Sequence, residues 1–390
     1  LGGVGFSIAP REILRFTKAD YGIVGDGEHT FAELLDALSA GDYAPKIADV
    51  LFKGQLESVL NAHSLLSNPF QDHVPSRRHV DNRRYFQYGG QGNIETKRGC
   101  PNGCVYCVDP VSKGRVARLR HPDVVVNEIL RLYEMGIDVL HWCDSECNLP
   151  VTHLEHICQR LKNNGLGAHI QWYAYATPEG FTTDLALKAA RAGCRGINFG
   201  IDHTDSMILK RLGRRHTRET IRDAIIACQR AGINTMCDML LGSPGETRET
   251  ISRAIDDMRR IKPDRVGLSC GVRIYPNTPL AIFVQQQGSL ASNPHLHGNV
   301  KENSDFLRPV FYIDAEVGAE IHEYVASLVK GDRLFFYSST SPIETNYNYD
   351  DNELLTKAIA AGARGAYWDI LRRVQEKEFS APASASSPKT

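Results

Sequence analysis

Strand-like segments alternate with amphipathic helices from Gln91 to Leu280, and this alternation is the strongest constraint on the fold. Six apolar segments are predicted as strands: Ile94–Arg98, Val139–Cys143, His169–Ala174, Gly196–Ile201, Thr235–Leu241 and Arg265–Arg273. Five helices are predicted between them: Pro122–Met135, Val151–Asn164, Thr183–Ala192, Arg218–Ala231 and Arg248–Ile261. Glycine follows most of these helices, as expected at a helix C-terminus. Repeated β-α units imply parallel strands joined by right-handed crossovers, so we predict an α/β fold.

Three cysteines stand close together in the segment that follows the first predicted strand. Cys100, Cys104 and Cys107 have the spacing C-x3-C-x2-C, and Gly99 and Pro101 beside them favour a loop over a core strand. Three thiolates on one loop can hold three corners of a cuboidal iron–sulfur cluster and leave one iron open. A structural zinc site would normally need a fourth cysteine or histidine at a matched spacing. The alternative is three buried core cysteines.

Composition narrows the class of protein. The chain has 390 residues, 42% of them hydrophobic, and its 45 basic and 46 acidic residues leave a net charge of −1. This balance gives no electrostatic footprint for nucleic acid, and no apolar stretch is long enough to be predicted as a membrane span. No signal peptide is recognised at the start, so the cysteines are predicted to be reduced thiols. A cytoplasmic location is therefore predicted, which suits an oxygen-sensitive cluster.

The chain is predicted to contain five consecutive regions. Residues 1–40 have a strand–loop–helix–strand–loop–helix pattern with glycines at the strand ends, which is typical of the last units of a doubly wound domain. Such a segment buries too little surface to fold alone. The predicted regions are a domain remnant (1–40), a linker with one helix near Gly54 to Leu66 (41–90), a barrel (91–285), a region that covers the open side of the barrel and shapes the substrate pocket (286–378), and a disordered tail (379–390).

The cysteine motif, with the aromatic Tyr106 directly before its third cysteine, resembles that of the radical S-adenosylmethionine superfamily. The resemblance implies a partial (β/α)6 TIM-like barrel and a [4Fe-4S] cluster held by Cys100, Cys104 and Cys107. In that family the open iron chelates the amino and carboxylate groups of S-adenosylmethionine, which is then cleaved to a 5′-deoxyadenosyl radical. Functional residues are expected at the C-terminal ends of the strands, where such barrels carry their chemistry.

Residues 1–40 resemble the C-terminal end of a cobalamin-binding domain, so cobalamin is the third expected cofactor. The resemblance implies that glycine-rich loops face the corrin, through Gly2, Gly3, Gly25, Gly27 and Glu28. Similar domains carry an Asp-x-His-x-x-Gly loop near their start, which often provides a cobalt ligand. That loop is not in the sequence, and the chain does not start with methionine, so we expect an N-terminally truncated chain.

The turn after the second predicted strand resembles an Asp-x-x-Phe-Asn motif of the cobalamin-dependent branch. Asp144, Glu146 and Asn148 occupy the polar positions, and Cys147 replaces the phenylalanine. The resemblance implies that these side chains hold the amino group of S-adenosylmethionine or close on the cluster. An N-cap for the following helix is the alternative role of Asn148.

Further candidates follow the third and fourth predicted strands. Tyr175 is predicted to face the cavity as a catalytic residue, with core packing as the alternative. Asp202 replaces the glutamate of a Gly-Ile-Glu-Ser-Gly motif whose acid contacts the ribose or methionine part of S-adenosylmethionine. The adjacent His203 is a candidate general base, or else a surface residue at a helix start. Arg211 is a candidate partner of the S-adenosylmethionine carboxylate, with a solvated helix face as the alternative.

The last two predicted strands are followed by turns that resemble motifs of the same family. Gly242 and Pro244 lie in a Gly-Ser-Pro-Gly-Glu-Thr turn, whose backbone is implied to approach the adenosyl group, while Glu246 and Thr247 are predicted to cap the next helix. Tyr275 begins a Tyr-Pro-Asn-Thr-Pro-Leu turn whose backbone is implied to pair with adenine.

These observations predict a cobalamin-dependent radical S-adenosylmethionine methyltransferase that acts on an unactivated carbon of a small-molecule, lipid or peptide substrate. An electron donor such as flavodoxin or ferredoxin is the expected protein partner. Two alternatives stay open: a cobalamin-linked cyclase or oxygenase of the tetrapyrrole type, and a non-catalytic iron–sulfur or cobalamin-binding protein. Methylthiolation of tRNA is disfavoured, because it needs a different N-terminal domain and usually a basic tail.

Overall fold

A computed structural model describes residues 1–54, 70–72, 74–337 and 352–380. The strands of this part of the chain are β1 (Tyr21–Ile23), β2 (Val50–Phe52), β3 (Gly92–Ile94), β4 (Lys97–Arg98), β5 (Arg118–Leu119), β6 (Val139–Trp142), β7 (Gln171–Ala176), β8 (Cys194–Asp202), β9 (Asn234–Leu241), β10 (Arg265–Cys270), β11 (Val272–Arg273), β12 (Leu296–Gly298), β13 (Val310–Tyr312) and β14 (Phe335–Phe336). The helices are α1 (Gly3–Ile8), α2 (Pro10–Thr17), α3 (Thr30–Ser39), α4 (Asn82–Gly89), α5 (Asp109–Ser112), α6 (Pro122–Glu134), α7 (Val151–Asn163), α8 (Thr183–Arg191), α9 (Ser206–Arg211), α10 (Arg218–Ala231), α11 (Arg248–Ile261), α12 (Pro279–Gln286), α13 (Ile321–Val329), α14 (Glu353–Ala360) and α15 (Tyr367–Ser380).

A parallel sheet of seven strands forms the centre of the molecule, in the order β14-β10-β9-β8-β7-β6-β3. The predicted α/β fold with a partial barrel is confirmed. Two predicted strands are each divided in the structure. The first becomes β3 and β4, and the last becomes β10 and β11, because Gly271 between them has a φ of +82°. The seventh strand, β14, comes from the C-terminal region.

Helices α6, α7, α8, α10 and α11 cover the outer face of the sheet. All five begin at the predicted residue and end at most one residue before the predicted end. Their apolar residues recur at helical spacing, as in Ile221, Ala224 and Ile225 of α10, and join one core with the outward-facing strand residues. Trp142 and Trp172 stack in this core with ring centroids 4.1 Å apart. Each helix therefore has an apolar face that only the sheet can bury.

The inner face of the sheet encloses a space that we call the lumen, and α14 and α15 close one end of it. Tyr173 and Met236 of the inner face pack against Leu355 and Trp368 of these helices. Asp369 accepts hydrogen bonds from Tyr173 Oη (2.9 Å) and from Asn234 Nδ2 (3.2 Å). Because Asn234 is the first residue of β9, this is the N-terminal end of the strands. This part of the 286–378 region therefore lies opposite the end where the site is expected.

The sheet β11-β13-β12 and helix α12 lie at the other end of the barrel, which we call the site end. Asp314, just after β13, donates its backbone amide to the Gly242 carbonyl at 3.0 Å, directly after β9. Helix α13 begins at Ile321, although a helix is predicted from Ala315. The backbone between these residues turns instead, since the Asp314 carbonyl accepts from Val317 and Gly318.

The N-terminal unit differs from the predicted strand–loop–helix pattern. The predicted pattern begins with a strand, but residues 3–8 form helix α1. Phe6 of α1 packs on Gly22 of β1, where an added Cβ would come within 2.1 Å of the ring, so the helix depends on a contact far away in sequence. Strand β1 pairs antiparallel with β2, which lies in the predicted linker. The second predicted helix, 29–40, is observed as α3.

Some predictions concern residues outside the described part of the chain. The helix predicted near Gly54 to Leu66 and the Tyr/Asn-rich segment 346–351 lie outside it. Of the predicted disordered tail, residues 379 and 380 belong to α15, and residues 381–390 are outside the described residues. None of the helices in the described part combines the length and the apolar character that crossing a bilayer requires.

We expect Asp369→Ala to lower the free energy of unfolding by about 3 kcal/mol, because it leaves the buried Tyr173 hydroxyl and the partly buried Asn234 amide without their acceptor and removes the ion pair with Arg372. Denaturant unfolding followed by circular dichroism measures this change. The control is Asp223→Ala, which removes an exposed carboxylate that pairs only with the neighbouring Arg222 in the described structure and should change stability by less than about 1 kcal/mol. Equal losses in both variants would contradict the role of Asp369.

Candidate active site

The three motif cysteines lie in the loop of residues 99–107, which we call the cluster loop. The β4–β5 hairpin holds its start, and the Cys100 amide donates to the Gly114 carbonyl at 3.1 Å. Cys100 is 5% exposed, Cys104 is similarly buried, and all three thiols are free. Gly99 has a φ of +87°, and a Cβ there would come within 2.1 Å of the Val116 carbonyl oxygen, so only glycine allows this loop path.

The donor set of the cluster loop fits a three-ligand iron–sulfur cluster. Burial raises the pKa of the Cys104 thiol to about 12 and that of Cys107 to about 11, so their thiolates need a positive partner. No three His, Cys, Asp or Glu side chains in the described residues converge as ligands of a single metal ion. A cuboidal cluster does not require this convergence, because each thiolate binds a different iron. Ligation by Cys100, Cys104 and Cys107 stays a prediction.

A buried ionic network, which we call the arginine network, lies beside the cluster loop and was missed in the sequence analysis. Arg214 donates to Asp202 Oδ2 through Nε at 2.6 Å and to Tyr106 Oη through Nη2 at 2.9 Å. Tyr106 Oη in turn donates to Asp202 Oδ2 at 2.7 Å. The Arg214 charge also lowers the pKa of the Cys104 and Cys107 thiols, against the larger effect of burial.

The arginine network contains two predicted cofactor-binding residues, Asp202 and Tyr106. Asp202 has a φ of +58° and uses both carboxylate oxygens for Tyr106 and Arg214. Its predicted contact with the ribose or methionine part of S-adenosylmethionine stays a prediction. Tyr106 fixes the cluster loop to the end of β8 through the same contact.

Arg211, the predicted partner of the S-adenosylmethionine carboxylate, points away from this network. It is exposed, and its guanidinium donates to the Pro244 carbonyl at 3.4 Å. A Cβ at Gly245 would fall within 1.0 Å of Arg211 Nη1, so the arginine lies flat on this glycine. Arg211 and Pro244 line a cavity of about 460 Å³ with Leu280 and other residues. Arg214, three residues later, takes the buried position instead.

Two of the three polar residues after β6 are occupied by structural hydrogen bonds. Asp144 accepts from the backbone amides of Thr96 (2.8 Å) and Lys97 (3.1 Å). Asn148 donates to the carbonyls of Thr177 and Glu179, both at 2.9 Å, and accepts from the Thr177 amide. Both side chains are thus held by the protein itself, and their predicted contact with S-adenosylmethionine stays a prediction.

The alternative role of Asn148 as a helix cap is also wrong. Pro150 is the N-cap of α7, and no side chain caps this helix. Asn148 instead joins the loop after β6 to the loop after β7. Its effect is to hold the two strand ends in register at the site end.

Glu146 and Lys97 are buried beside the cluster loop with unfilled hydrogen-bonding capacity. Lys97 is 1% exposed, and its Nζ has no hydrogen-bond partner in the described chain. Glu146 Oε2 also has no hydrogen-bond partner among the described residues. Glu146 Oε1 lies 3.5 Å from Arg214 Nη1, and burial raises the pKa of the carboxyl to about 7. Lys97 opposes this rise and also lowers the pKa of Cys100. Its position three residues before Cys100 is the one sequence signal that points to it.

His203 is neither a general base facing the cavity nor a surface residue. It is fully buried, and the Asp205 amide donates to its Nδ1 at 2.9 Å. Its Nε2 lies 3.0 Å from Glu246 Oε1. Nδ1 is thus occupied inside the protein, and Nε2 faces a buried carboxylate without forming a hydrogen bond of good geometry.

The turn after β9 is organised by Glu246. Gly242 and Ser243 both donate their backbone amides to Glu246 Oε2 at 2.7 Å. Glu246 therefore closes its own turn rather than the helix, and α11 is capped by a capping box in which Thr247 and Thr250 each accept from the other's backbone amide. The approach of the Gly242 and Pro244 backbone to the adenosyl group stays a prediction.

Tyr275 and Tyr175 both present part of their rings at the site end. Tyr275 is partly exposed, and the Arg273 guanidinium lies 5.2 Å from its ring centroid. Tyr175 is 40% exposed on the inner face of β7 and meets the His141 ring edge-on, with centroids 5.6 Å apart. Neither ring is part of the closed core. The predicted roles of Tyr175 in catalysis and of the Tyr275 turn in adenine binding stay predictions.

The predicted corrin-facing residues line one cavity between the N-terminal unit and the barrel. Gly2, Gly3, Gly25, Gly27 and Glu28 all line this space of about 580 Å³. A Cβ added at position 3 would meet no atom within 4 Å, so the glycines leave open backbone that suits a broad flat ligand.

The same cavity adjoins the cluster loop through charged contacts. Glu28 Oε1 lies 2.7 Å from Arg98 Nη1, and Arg98 also lines the cavity. Asp26 of the same glycine-rich loop pairs with Arg98 and with Arg118. Because Arg98 stands two residues before Cys100, a ligand in this cavity would lie close to the cluster loop.

Comparisons with known proteins agree with this arrangement. Residues 94–258 match the family model of the radical SAM superfamily. Tryptophan 2-C-methyltransferase of Streptomyces laurentii is 28% identical over 94% of this chain and 78% of its own length. An uncharacterised methyltransferase of Pyrococcus horikoshii is 28% identical over 72% of this chain and 61% of its own length.

Solved structures extend the similarity to nearly the whole chain. The radical S-adenosylmethionine methyltransferase TsrM of Kitasatospora setae, solved with tryptophan and an analogue of S-adenosylmethionine, is 26% identical with a TM-score of 0.87 over 97% of this chain and 80% of its own. The same protein has been solved with cobalamin and a [4Fe-4S] cluster. The cobalamin-dependent enzyme OxsB shares the fold, with a TM-score of 0.67 over 84% of this chain and 53% of its own. The predicted resemblance is confirmed: residues 94–258 form a radical S-adenosylmethionine domain, and nearly the whole chain is similar to a methyltransferase of that superfamily that has been solved with cobalamin.

Proposed function

We propose that this chain transfers a methyl group from S-adenosylmethionine, by way of cobalamin, to a carbon atom of a small aromatic substrate. The observation that carries the proposal is the contact between Glu28 and Arg98. It places the glycine-lined cavity directly against the cluster loop. The similarity to tryptophan 2-C-methyltransferase over 94% of the chain supports the same reaction class.

The residues at the site end can be assigned to the three cofactors by their chemistry. Cys100, Cys104 and Cys107 would hold the cluster. Lys97 and Glu146, of opposite charge and each with an unfilled polar atom, would face the carboxylate and the ammonium group of S-adenosylmethionine. When bound, the cluster supplies electrons and the corrin carries the methyl group.

The protein's own contribution is to hold and shield these groups. Arg214 keeps Tyr106 and Asp202 in one arrangement beside the cluster loop, at hydrogen-bond distances of 2.6–2.9 Å. Burial of the loop excludes water from the reacting centre. The edge-on aromatic pair of His141 and Tyr175 gives the lumen an apolar surface against which a substrate ring can pack.

The substrate and partners follow from the same site. Tryptophan is the substrate named for the relatives, and we propose tryptophan or a similar small aromatic compound for this chain. We also propose a cytoplasmic location, which the free thiols support, and an electron donor such as flavodoxin or ferredoxin.

Anaerobic reconstitution tests the proposal. The chain is incubated with iron and sulfide, S-adenosylmethionine, a reductant, methylcobalamin and tryptophan, and products are followed by mass spectrometry. We expect S-adenosylhomocysteine and a tryptophan heavier by one methylene. Cys104→Ala should abolish both and lower the iron content, whereas Cys158→Ala, a buried cysteine of α7 outside the loop, should leave the cluster intact.

The products also separate the remaining alternatives. Cysteine-dependent 5′-deoxyadenosine would establish a radical step, and its absence beside methylated tryptophan would indicate methyl transfer without one. A chain that holds cluster and cobalamin, as seen in its absorption spectrum, but yields no product with tryptophan or related aromatic compounds would contradict the proposal. It would favour a binding protein.

We expect Lys97→Met to lower the midpoint potential of the reconstituted cluster by tens of millivolts. The reduced cluster carries an additional negative charge, and the buried ammonium stabilises that state more than the oxidised one. A potentiometric titration read by electron paramagnetic resonance measures the potential. Lys357→Met, at an exposed position of α14, is the control, and an identical potential in wild type and Lys97→Met would contradict the role of Lys97.

A further inference from the structure

Four polar or aromatic residues form a continuous strip across the inner face of the sheet. They are His141 on β6, Tyr175 on β7, Asn198 on β8 and Asp238 on β9, and we call them the lumen strip. The chain neighbours of all four, such as Ile197 and Phe199 beside Asn198, belong to the outer core. Side chains alternate between the two faces of a strand, so all four point into the lumen.

Two oxygens of the lumen strip have no partner. Asn198 Nδ2 donates to Asp238 Oδ2 at 2.8 Å, which orients both side chains. In the described part of the chain, no donor reaches Asp238 Oδ1 or Asn198 Oδ1, although both atoms are buried. Asn198 is only 4% exposed. Buried acceptors without donors are costly, and native proteins rarely keep them without a use.

Glycines flank Asp238 on both neighbouring strands. Asp238 is in register with Gly200 on β8 and with Gly267 on β10. Neither neighbour has a side chain of its own that could donate to the carboxylate. On the Gly200 side, Arg214 Nη2 lies 3.3 Å from the place where a Cβ would stand.

The charges around the strip define the chemistry of that group. Burial and the charge of Asp202 raise the pKa of Asp238 to about 6, and the hydrogen bond from Asn198 opposes this rise. Burial lowers the pKa of His141, so that ring is neutral. The strip thus presents one carboxylate and two acceptors next to an aromatic edge. The nearby guanidinium of Arg214 is already bonded to Asp202 and Tyr106.

We propose that Asp238 and Asn198 bind the protonated amino group of the substrate, while His141 and Tyr175 contact its ring. An ammonium group carries three donors and a positive charge, so it fills both unpaired oxygens and neutralises the carboxylate. A carboxylate would be repelled, and a purely apolar group would leave both oxygens unpaired. The inference rests on the proposed function and assigns its substrate class: aromatic amines and amino acids.

Isothermal titration calorimetry on the reconstituted chain tests the inference without turnover. The probes are tryptophan and indole-3-propionic acid, which differ only in the amino group. We expect wild type to bind tryptophan more tightly by about tenfold or more. Asp238→Asn keeps the shape and the contact with Asn198 but removes the charge, so tryptophan should weaken by a similar factor while indole-3-propionic acid changes less than about twofold.

Two controls exclude a general loss of structure. Asp223→Asn makes the same chemical change on the exposed face of α10 and should leave both affinities unchanged. The melting temperature of Asp238→Asn should stay close to that of wild type, because its hydrogen bond to Asn198 is preserved. Asn198→Leu removes the second acceptor and should also weaken tryptophan binding selectively.

The outcomes separate this inference from the proposed function. If tryptophan is methylated but Asp238→Asn leaves its affinity and KM unchanged, the inference is wrong and the function stands. If amine binding depends on Asp238 but no methyl transfer occurs, the inference stands and the function fails. Equal binding of the two probes to wild type, or no binding of tryptophan, overturns the inference.

Discussion

The site depends on one buried guanidinium. Arg214 ties together Asp202 at the end of β8, Tyr106 of the cluster loop and, at 3.5 Å, Glu146 after β6. Three separate strand-end segments are thereby fixed to one planar group, which can donate in several directions from a rigid frame. The positive charge also offsets the negative charge that thiolates and carboxylates concentrate there. Without it, these acids would be buried close together with less compensation.

The sheet and its outer helices could be predicted from the sequence because the deciding signals are local. Caps such as Thr217 and Thr247 and the apolar spacing of α10 and α11 lie within each segment. Helix α1 could not be predicted in this way. It is short and contains glycine, and it is held by the contact of Phe6 with Gly22 of β1.

The functional residues show the same difference between features set by local sequence and features set by distant contacts. The position of the cluster loop followed from its spacing and turn residues, which are local. The choice between Arg211 and Arg214 did not, because it depends on the turn at Gly213, where a Cβ would come within 2.3 Å of the Gly103 carbonyl oxygen. Asp144 was a similar case: its partners, Thr96 and Lys97, come from a different strand. The residue types near a strand end can be predicted to matter from the sequence. The direction in which each side chain points is set by packing against residues that are distant in sequence.

The hydrogen bonds that shape the cluster loop have a consequence for how iron is taken up. The Val105 amide donates to the Leu212 carbonyl at 3.0 Å, and the Val105 carbonyl accepts from Leu280 at 2.9 Å. These contacts come from the protein itself, so the loop is ordered by its neighbours rather than by its ligands. In zinc fingers, by contrast, part of the metal-binding energy is used to fold the chain. A cluster bound here would use little of its binding energy to fold the loop, and a chelator would remove it while these hydrogen bonds persist.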